Sequence, residues 1–414
     1  MSSLAIATLA AALIVLASIL SVEIGISVAL IEIMLGVVGG NVFGLTTTPW
    51  MDFLASFASI VLTFLAGTEV DPTLLREKFK ASMLIGGLSF LLPFALTIPV
   101  AFFLLGWDFR ASEIAGVALS TTSLAVVYAV LVETGLTETS IGKLIMAACF
   151  ITDFGTALAL SILFITPTPA ILLFIGVSLV IVFGVPRLAP RFFARYGDRV
   201  IEPEIKLIFL CLFVLMLFAE IGASHAVLPA FLFGLTMART LAQHRAQQRR
   251  LRVVAFALLT PFFFLKSGLN ISVSAVVANW GWVVVLFGVK LGAKLIGVYP
   301  PARRYVPRDA VYTTLLMSTG LTFGTIASLY GLNAGIITRA QFSVLVTVVI
   351  LTAVLPTIIA QGFFNPQRPR VLGGLEGDST RRGARPAPES TLAELASTEG
   401  EGAAAPSAAP FEGR

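Results

Sequence analysis

Long apolar runs separated by short polar loops are the dominant pattern along the 414 residues of this chain. A helix that crosses a bilayer needs about 20 mainly apolar residues. About thirteen stretches fit this description, so the pattern predicts an all-α polytopic membrane protein. The stretches cover residues 4–20, 22–43, 52–68, 82–105, 113–133, 140–165, 169–186, 205–222, 224–240, 251–268, 276–299, 309–331 and 339–364.

Positive charge is distributed unevenly among the loops, and this predicts how the helices are oriented. With thirteen helices and the N-terminus outside, 17 Lys and Arg residues lie at the inner ends, and only Arg110 and Arg339 lie outside. Cytoplasmic loops of membrane proteins carry such an excess. We therefore expect a multi-pass protein of the cell inner membrane, with its N-terminus outside and its C-terminus in the cytoplasm.

Composition narrows the class of protein further. Apolar residues make up 57% of the chain, charged residues only 12%, and the mean hydropathy is +0.94. Soluble domains carry about 25% charged residues, so a soluble enzyme, a nucleic-acid binder and a disordered scaffold are excluded. Two cysteines and two histidines provide no disulfide framework and no metal-ligand spacing. Residues 366–414 are rich in Gly, Pro, Ala, Ser, Glu and Arg, which predicts a disordered cytoplasmic tail after a membrane domain of residues 1–365.

Three lysines that belong to no loop and three acids deep in the apolar stretches lie within the predicted helices, where inserting a charge costs roughly 2.5–3.5 kcal/mol. They are Glu32, Asp153, Glu220, Lys266, Lys290 and Lys294. Such residues normally face a partner, a cavity or an ion pathway. Lys266 lies near the outer end of its helix, so we expect its amino group to extend outward to water.

Asp153 and a pair of lysines are the candidate ion-binding groups. Asp153 is the only charge in the middle of residues 140–165, so it either bonds to a neighbouring helix or binds an ion or proton. Lys290 and Lys294 are four residues apart and therefore lie on one helix face. A lysine can occur within a membrane helix if its side chain extends toward the cytoplasm, but this explains one of the two lysines more easily than both.

Two predicted helices contain a polar break, at residues 118–124 and 316–324. Ser and Thr in a membrane helix can simply bond to the preceding turn. Two breaks in corresponding parts of the two halves instead suggest interrupted helices, which expose carbonyl groups and dipole ends at the bilayer midplane. The first break precedes the Asp153 helix and the second follows the Lys294 helix, as an inverted repeat requires.

Seven sequence patterns follow one another along the apolar part of the chain. They are IEIMLGVVGGNVFGL, FLAGTEVDP, GVALSTTSLAVVYAVLVETGL, GKLIMAACFITDFGTALALSILF, PAFLFGL, PFFFLKSGLNIS and AKLIGVYPPARRY. In these patterns and their order, over about residues 10–365, the chain resembles the bacterial monovalent cation:proton antiporter-2 family, which has the sodium/proton-antiporter fold. The C-terminal nucleotide-binding domain of some relatives is absent from this sequence.

The resemblance implies a role for individual residues. Asp153 matches the ion-binding aspartate, and Thr152 stands where relatives carry Asp, Asn or Gln. Lys294 matches the basic residue that faces this aspartate, with Lys290 as the alternative one helical turn away. The remaining candidate ligands for the transported cation are Thr121, Thr122, Ser318 and Thr319.

The activity that the resemblance implies is antiport rather than enzyme catalysis, with no cofactor. A monovalent cation, Na⁺ first or else K⁺ or Li⁺, would exchange for protons at Asp153 by alternating access. Residues 82–165 and 276–364 would form the moving core, and residues 4–68 and 205–268 a scaffold that forms a homodimer in the lipid membrane. The alternative is a sodium-coupled organic-anion symporter of related fold, which would not need Lys294.

The number of protons exchanged is left open by the sequence. With Thr152 beside it, Asp153 is the only acid at the expected site, which favours electroneutral exchange of one proton for one cation. If Lys294 lost its proton on cation binding, a second proton would travel and the exchange would be electrogenic.

Overall fold

The computed structural model describes residues 3–24, 27–69, 78–137, 139–164, 168–197, 199–222 and 224–366, and the predicted tail lies outside these residues apart from position 366. Helices account for all regular structure in the described residues. They are α1 Ser3–Ile24, α2 Val28–Asn41, α3 Pro49–Thr68, α4 Phe79–Leu104, α5 Phe109–Ser120, α6 Leu124–Glu133, α7 Ser140–Leu163, α8 Ala170–Tyr196, α9 Pro203–Ile221, α10 Val227–Gln243, α11 Arg245–Leu269, α12 Val273–Ala278, α13 Trp280–Tyr305, α14 Ala310–Met317, α15 Thr322–Asn333 and α16 Arg339–Phe363. The all-α prediction is therefore confirmed.

Nine helical stretches in the described residues are long and apolar enough to cross a membrane, and α2 and α10 are shorter apolar helices. Every stretch predicted from the sequence is mainly helical, but each of residues 22–43, 113–133, 276–299 and 309–331 is divided between two helices. The count of thirteen crossings stays a prediction. Helix α4, α8 and α11 each contain one π-helical turn of five residues. The π-helical turns do not interrupt the helices. The apolar pattern therefore predicts each of these three helices as a single span.

Some predicted boundaries were wrong by one or two helical turns. Helix α1 continues to Ile24, so the predicted division at residue 21 lies inside this helix. Helix α11 begins at Arg245 rather than at residue 251, because the arginine-rich first turns extend the helix beyond its apolar part. Glu220, expected deep in the membrane, lies exposed in the last turn of α9, whereas Glu32 is buried as expected.

Glycine residues allow α2 and α3 to pack closely against two helices that come much later in the chain. Helix α2 meets α11 where Gly36 faces Gly268, and α3 meets α10 where Gly67 faces Gly234. A Cβ atom at any of these positions would collide with the backbone of the facing helix. Small residues allow such close approach between membrane helices, where packing replaces the hydrophobic effect as the driving force.

The helices that surround the two polar breaks form a second group of contacts. Helix α4 packs against α5, α7 and α13, and α5 packs against α15. Helix α16 packs against α13, α14 and α15. The two interrupted helices are therefore enclosed by α4, α7, α13 and α16, which include the helices that carry Asp153, Lys290 and Lys294.

Lys266 does not extend to water, so that prediction was wrong. Its side chain is only 4% exposed, and its Nζ lies 2.8 Å from Asp52 Oδ1 in the first turn of α3. The Asp52 side chain is 45% exposed, so the carboxylate remains partly hydrated while it neutralises the buried ammonium. This pair could not be predicted, because α3 and α11 are far apart along the chain.

We expect Asp52→Asn to lower the free energy of unfolding by about 2 kcal/mol, because it leaves the Lys266 ammonium buried without a counter-charge. This value lies between the ~0–1 kcal/mol of a surface ion pair and the ~3–5 kcal/mol of a broken buried pair. Thermal unfolding of the purified protein measures the change. Glu202→Gln, which breaks the more exposed pair with Arg250, is the control and should cost less than about 1 kcal/mol. Equal destabilisation by both variants would contradict the assignment.

Candidate functional site

The two polar breaks meet at the centre of the second helix group. Helix α5 ends at Ser120 and α6 begins at Leu124, while α14 ends at Met317 and α15 begins at Thr322. The Ser123 N–H donates to the carbonyl of Thr319 at 3.2 Å. The predicted crossing of two interrupted helices is therefore present, and we call residues 120–123 and 317–321 the crossing.

Each interrupted helix presents both of its inner ends at the crossing. The carbonyl ends of α5 and α14 carry partial negative charge, and the amide ends of α6 and α15 carry partial positive charge. The Thr122 hydroxyl donates to the Met317 carbonyl at 2.9 Å and satisfies one of the free carbonyl groups. The crossing thus places polar backbone groups in a region where the surrounding helices are apolar.

Lys294 is completely buried and bonds to the first interrupted helix. Its Nζ donates to Ser120 O at 2.9 Å, to Thr122 Oγ1 at 3.0 Å and to Ser89 Oγ at 2.8 Å. An ammonium group has three protons, so these three acceptors satisfy it fully. The carbonyl of Ser120 is the negative end of α5, where a positive charge is favourable.

Ser89 was missed by the sequence analysis, although it contacts a predicted site residue. It lies in the apolar helix α4, seven residues after Ser82, and both side chains are fully buried. Seven residues are close to two helical turns, so the two serines share a face. A polar stripe on an otherwise apolar membrane helix is the signal that could have identified this residue.

Asp153 is 2% exposed and lies in the middle of α7. Within the described residues, no hydrogen bond reaches its Oδ1, and no salt bridge joins it to a lysine. One turn earlier on α7, the Cys149 sulfur lies 3.7 Å from the sulfur of Met317 at the end of α14. Residues four apart share a helix face, so Asp153 lies on the face of α7 that is turned toward the crossing.

The candidate hydroxyl groups are all buried at or beside the crossing. Most donate their proton to the preceding helical turn, as Thr152 does to Cys149 O at 2.6 Å. The others with this arrangement are Thr121, Ser318 and Thr319, at 2.7–3.0 Å. Because the proton is used locally, the oxygen lone pairs stay available to accept from a donor or to bind a cation.

Lys290 reaches the crossing from the same face of α13 as Lys294, but its surroundings are different. It is fully buried, and its Nζ has no hydrogen-bond partner in the described part of the chain. A Cβ atom on Gly320 would collide with this amine and would lie 3.2 Å from Thr121 Oγ1. The Lys290 amine therefore packs directly on Gly320, close to the first interrupted helix.

We expect Gly320→Ala to reduce transport at least tenfold, because the added methyl group displaces the Lys290 amine and spreads the two crossing segments. Overpacking of this kind costs about 1–3 kcal/mol, and tenfold corresponds to about 1.4 kcal/mol. Gly292→Ala on α13 is the matched control, since a Cβ at Gly292 meets no atom within 4 Å. Ion flux through purified protein in liposomes measures the effect, and equal rates for both variants would contradict it.

Comparisons with known proteins extend over nearly the whole described chain. The family model described as sodium/hydrogen exchanger, transmembrane, matches residues 8–365. The probable Na(+)/H(+) antiporter 3 of Methanocaldococcus jannaschii is 26% identical over 358 residues, covering 82% of this chain and 89% of that protein. The Na(+)/H(+) antiporter of Enterococcus hirae is 27% identical over 328 residues, covering 73% and 82%.

Two further comparisons concern a longer relative and a solved structure. The cation/H(+) antiporter 18 of Arabidopsis thaliana is 25% identical over 339 residues, and the match covers 77% of this chain but only 42% of that protein. The sodium proton antiporter MjNhaP1 from Methanocaldococcus jannaschii at pH 8 superimposes with a TM-score of 0.67 at 13% identity. That match covers 87% of this chain and 97% of the other, and it concerns the fold alone.

Proposed function

The chain belongs to the sodium/hydrogen exchanger family, and from this premise we propose that it exchanges a monovalent cation for protons at Asp153. It is a multi-pass membrane protein of a transporter family rather than an enzyme family. The observation that carries the proposal is the buried Asp153, whose Oδ1 has no hydrogen-bond partner in the described residues and which faces the crossing.

Obligatory exchange follows from the cost of an empty site. An ionised carboxylate that is buried without a partner is strongly unfavourable, so Asp153 must bind a proton or a cation. One group cannot hold both at once. The protein can therefore change its accessible side at low cost only when one of the two is bound.

Oxygen atoms near the carboxylate suit a small alkali cation. Thr152 is adjacent to Asp153, and the hydroxyl groups of Thr121, Thr122, Ser318 and Thr319 lie buried at the crossing. Hard cations prefer such oxygen ligands. We propose Na⁺ as the principal substrate because the relatives from Methanocaldococcus jannaschii and Enterococcus hirae are named as Na(+)/H(+) antiporters, with Li⁺ and K⁺ as the other candidates.

Lys294 stabilises the crossing in this proposal. Its three hydrogen bonds connect α13 to Ser89 on α4, to Ser120 at the end of α5 and to Thr122 in the crossing, so its charge offsets the negative end of that half-helix. The organic-anion symporter, the alternative considered from the sequence, has no support from the comparisons. A symporter would have no need to bury this fixed charge next to the cation site.

We also propose which helices move, how the protein assembles and how it is oriented in the membrane. Helices α4–α7 and α13–α16 would move as a core against a scaffold formed by α1–α3 and α9–α11. The scaffold would form a homodimer, and the protein would lie in the cell inner membrane with its N-terminus outside. The excess of Lys and Arg at the predicted inner ends supports this orientation.

Sodium-driven proton movement in proteoliposomes tests the proposed function. Purified protein is reconstituted with a pH-sensitive dye inside, an acid interior is imposed, and Na⁺, Li⁺, K⁺ or choline is added outside. We expect Na⁺ or another alkali cation to raise the internal pH, and choline to have no effect. Absence of any cation-dependent proton flux in a well-inserted preparation would overturn the proposal, and organic-anion uptake with sodium would favour the symporter.

A further inference from the structure

Two sulfur atoms from distant parts of the chain meet beside the crossing. The thiol of Cys149 on α7 donates to the thioether sulfur of Met317 at the end of α14, and the two sulfurs are 3.7 Å apart. Both side chains are fully buried. The two residues are 168 positions apart in the sequence, so no spacing motif indicates the pair. The exchange proposed above at Asp153 uses neither sulfur.

A buried carboxyl group lies next to the two sulfurs. Asp153 follows Cys149 by one helical turn on the same face of α7, and the two side chains are close enough to interact electrostatically. Asp153 is 2% exposed, and its Oδ1 accepts no hydrogen bond from the described residues. A thiol, a thioether and a carboxyl oxygen without a partner therefore share one small region of the interior.

This set of atoms suits a soft monovalent cation. Thiolate and thioether sulfurs select soft ions such as Cu⁺, and Ag⁺ has the same charge and the same preference. Hard cations prefer oxygen ligands instead. The hydroxyl groups of the crossing and the two sulfurs therefore favour different classes of cation, although both lie beside the same carboxyl group.

The distance between the sulfurs indicates how a soft ion would be coordinated. A metal about 2.3 Å from each sulfur, the length of a Zn–S bond, would make a sulfur–metal–sulfur angle of about 105° at the observed separation of 3.7 Å. A linear site with two sulfurs would need them about 4.6 Å apart. The bent angle leaves space for a third ligand, and Asp153 lies on the correct face of α7 to supply it.

We propose that Cys149, Met317 and Asp153 form a binding site for soft monovalent cations such as Ag⁺ and Cu⁺, and that an ion bound there blocks cation–proton exchange. The ion reaches this buried site by the route that the transported cation takes to Asp153, so the inference rests on the proposed function. On binding, the S–H bond of Cys149 breaks, a sulfur–metal bond forms and the proton leaves to solvent. The metal keeps its charge of +1, so no oxidant or reductant is needed.

The charges around the site are compatible with a bound metal. The thiolate neutralises the ion, so Lys294, which also interacts electrostatically with Cys149, meets no additional positive charge. The three hydrogen bonds of Lys294 need not change. The block follows from occupation, because an Asp153 oxygen that binds the soft ion is not available to Na⁺.

Silver binding to the purified protein tests the site. Ag⁺ is the probe because it is soft, monovalent and stable in air, and it is added as the nitrate in detergent buffer without chloride or thiols. Cys211→Ala is the background, since it leaves Cys149 as the one thiol of the chain. Isothermal titration counts the bound ions, and silver X-ray absorption identifies their ligands. We expect one tightly bound Ag⁺ per chain with two sulfur neighbours.

Variants in this background identify the two sulfurs. Cys149→Ser should lose the tight Ag⁺ binding, because a hydroxyl group is a hard ligand. Met317→Leu should weaken the binding at least about tenfold and leave one sulfur neighbour, since even changes to groups behind the ligands cost metal sites this much. Met237→Leu is the matched control, because Met237 is an equally buried methionine on α10, and it should bind Ag⁺ like the background. Size-exclusion chromatography verifies that each variant is folded.

Transport provides a second measurement. In proteoliposomes with nitrate salts, Ag⁺ should abolish the Na⁺-dependent proton flux of the Cys211→Ala protein, and an added thiol should restore it by removing the silver. The flux through the variant that also carries Cys149→Ser should be the same before and after the same addition of Ag⁺.

The metal site is overturned by absence of tight Ag⁺ binding, by a single sulfur neighbour in the background protein, or by equal binding after Cys149→Ser. Equal inhibition of the background and the Cys149→Ser variant overturns the block at this site. Failure of the proposed function is a different result, in which Ag⁺ binds through both sulfurs but no cation-dependent proton flux exists before Ag⁺ is added.

Discussion

Asp153→Asn is expected to abolish cation–proton exchange while the protein still folds and inserts in the membrane. Asparagine has nearly the same shape as aspartate, so the packing of α7 against the crossing is retained. It cannot ionise, so it cannot hold a proton in one half of the cycle and a cation in the other. Dye-detected proton flux in proteoliposomes should fall to the level of liposomes without protein.

The control for this variant is Asp108→Asn, the same chemical change outside the site. Asp108 caps the first turn of α5 by accepting from the Arg110 N–H, and Asn is an equally good cap at this position. This variant should exchange at the wild-type rate. Wild-type exchange by a folded Asp153→Asn protein would show that the ion site lies elsewhere.

Lys294→Met should destabilise the protein, whereas Lys290→Met should not. Removing Lys294 leaves Ser89, Thr122 and the carbonyl of Ser120 without the buried donor that now joins them. An unsatisfied buried group costs about 1–3 kcal/mol, so we expect a loss of at least about 3 kcal/mol and a fall in exchange of more than tenfold. Removing Lys290 takes away a buried amine without a partner, which costs no hydrogen bond.

Thermal unfolding of the two variants in the same detergent separates the two roles. The comparison is well matched, because both lysines are fully buried on one face of α13 and the replacement is the same. A clear fall in Tm for Lys294→Met only is the expected result. An equal fall for both, or a larger fall for Lys290→Met, would contradict the stabilising role of the three hydrogen bonds of Lys294.

The two helix breaks were predictable because their cause is local. Clusters of Ser and Thr in the middle of an apolar run weaken a helix, and they occur at 120–123 and, next to Gly320, at 318–319. Their burial was also predictable, since an interrupted helix is tolerated in a membrane only where protein or a cavity surrounds it. Asp153 was predictable for the same reason, because a single charge within an apolar helix is visible in the local sequence.

The contacts of the buried lysines could not be predicted, because they depend on helices that are distant in sequence. Ser89 and Lys294 are separated by 205 residues, and Lys266 and Asp52 are also far apart. The family resemblance implied that Lys294 faces Asp153, and in this structure its three hydrogen bonds go to α4, to the end of α5 and to Thr122 in the crossing. Only the packing of α13 against α4 shows which acceptors are within reach.

The central claim is that a cation and protons are exchanged at Asp153. It is tested most directly by measuring whether ²²Na⁺ accumulates against its own concentration gradient. Proteoliposomes with equal Na⁺ on both sides, an interior one pH unit more acidic, and a membrane potential held at zero receive a trace of ²²Na⁺ outside. We predict that the wild type concentrates the isotope inside, up to about tenfold for one proton per cation and about a hundredfold for two, and that Asp153→Asn does not. Equal ²²Na⁺ on both sides in the wild type, or accumulation by Asp153→Asn, would contradict the account.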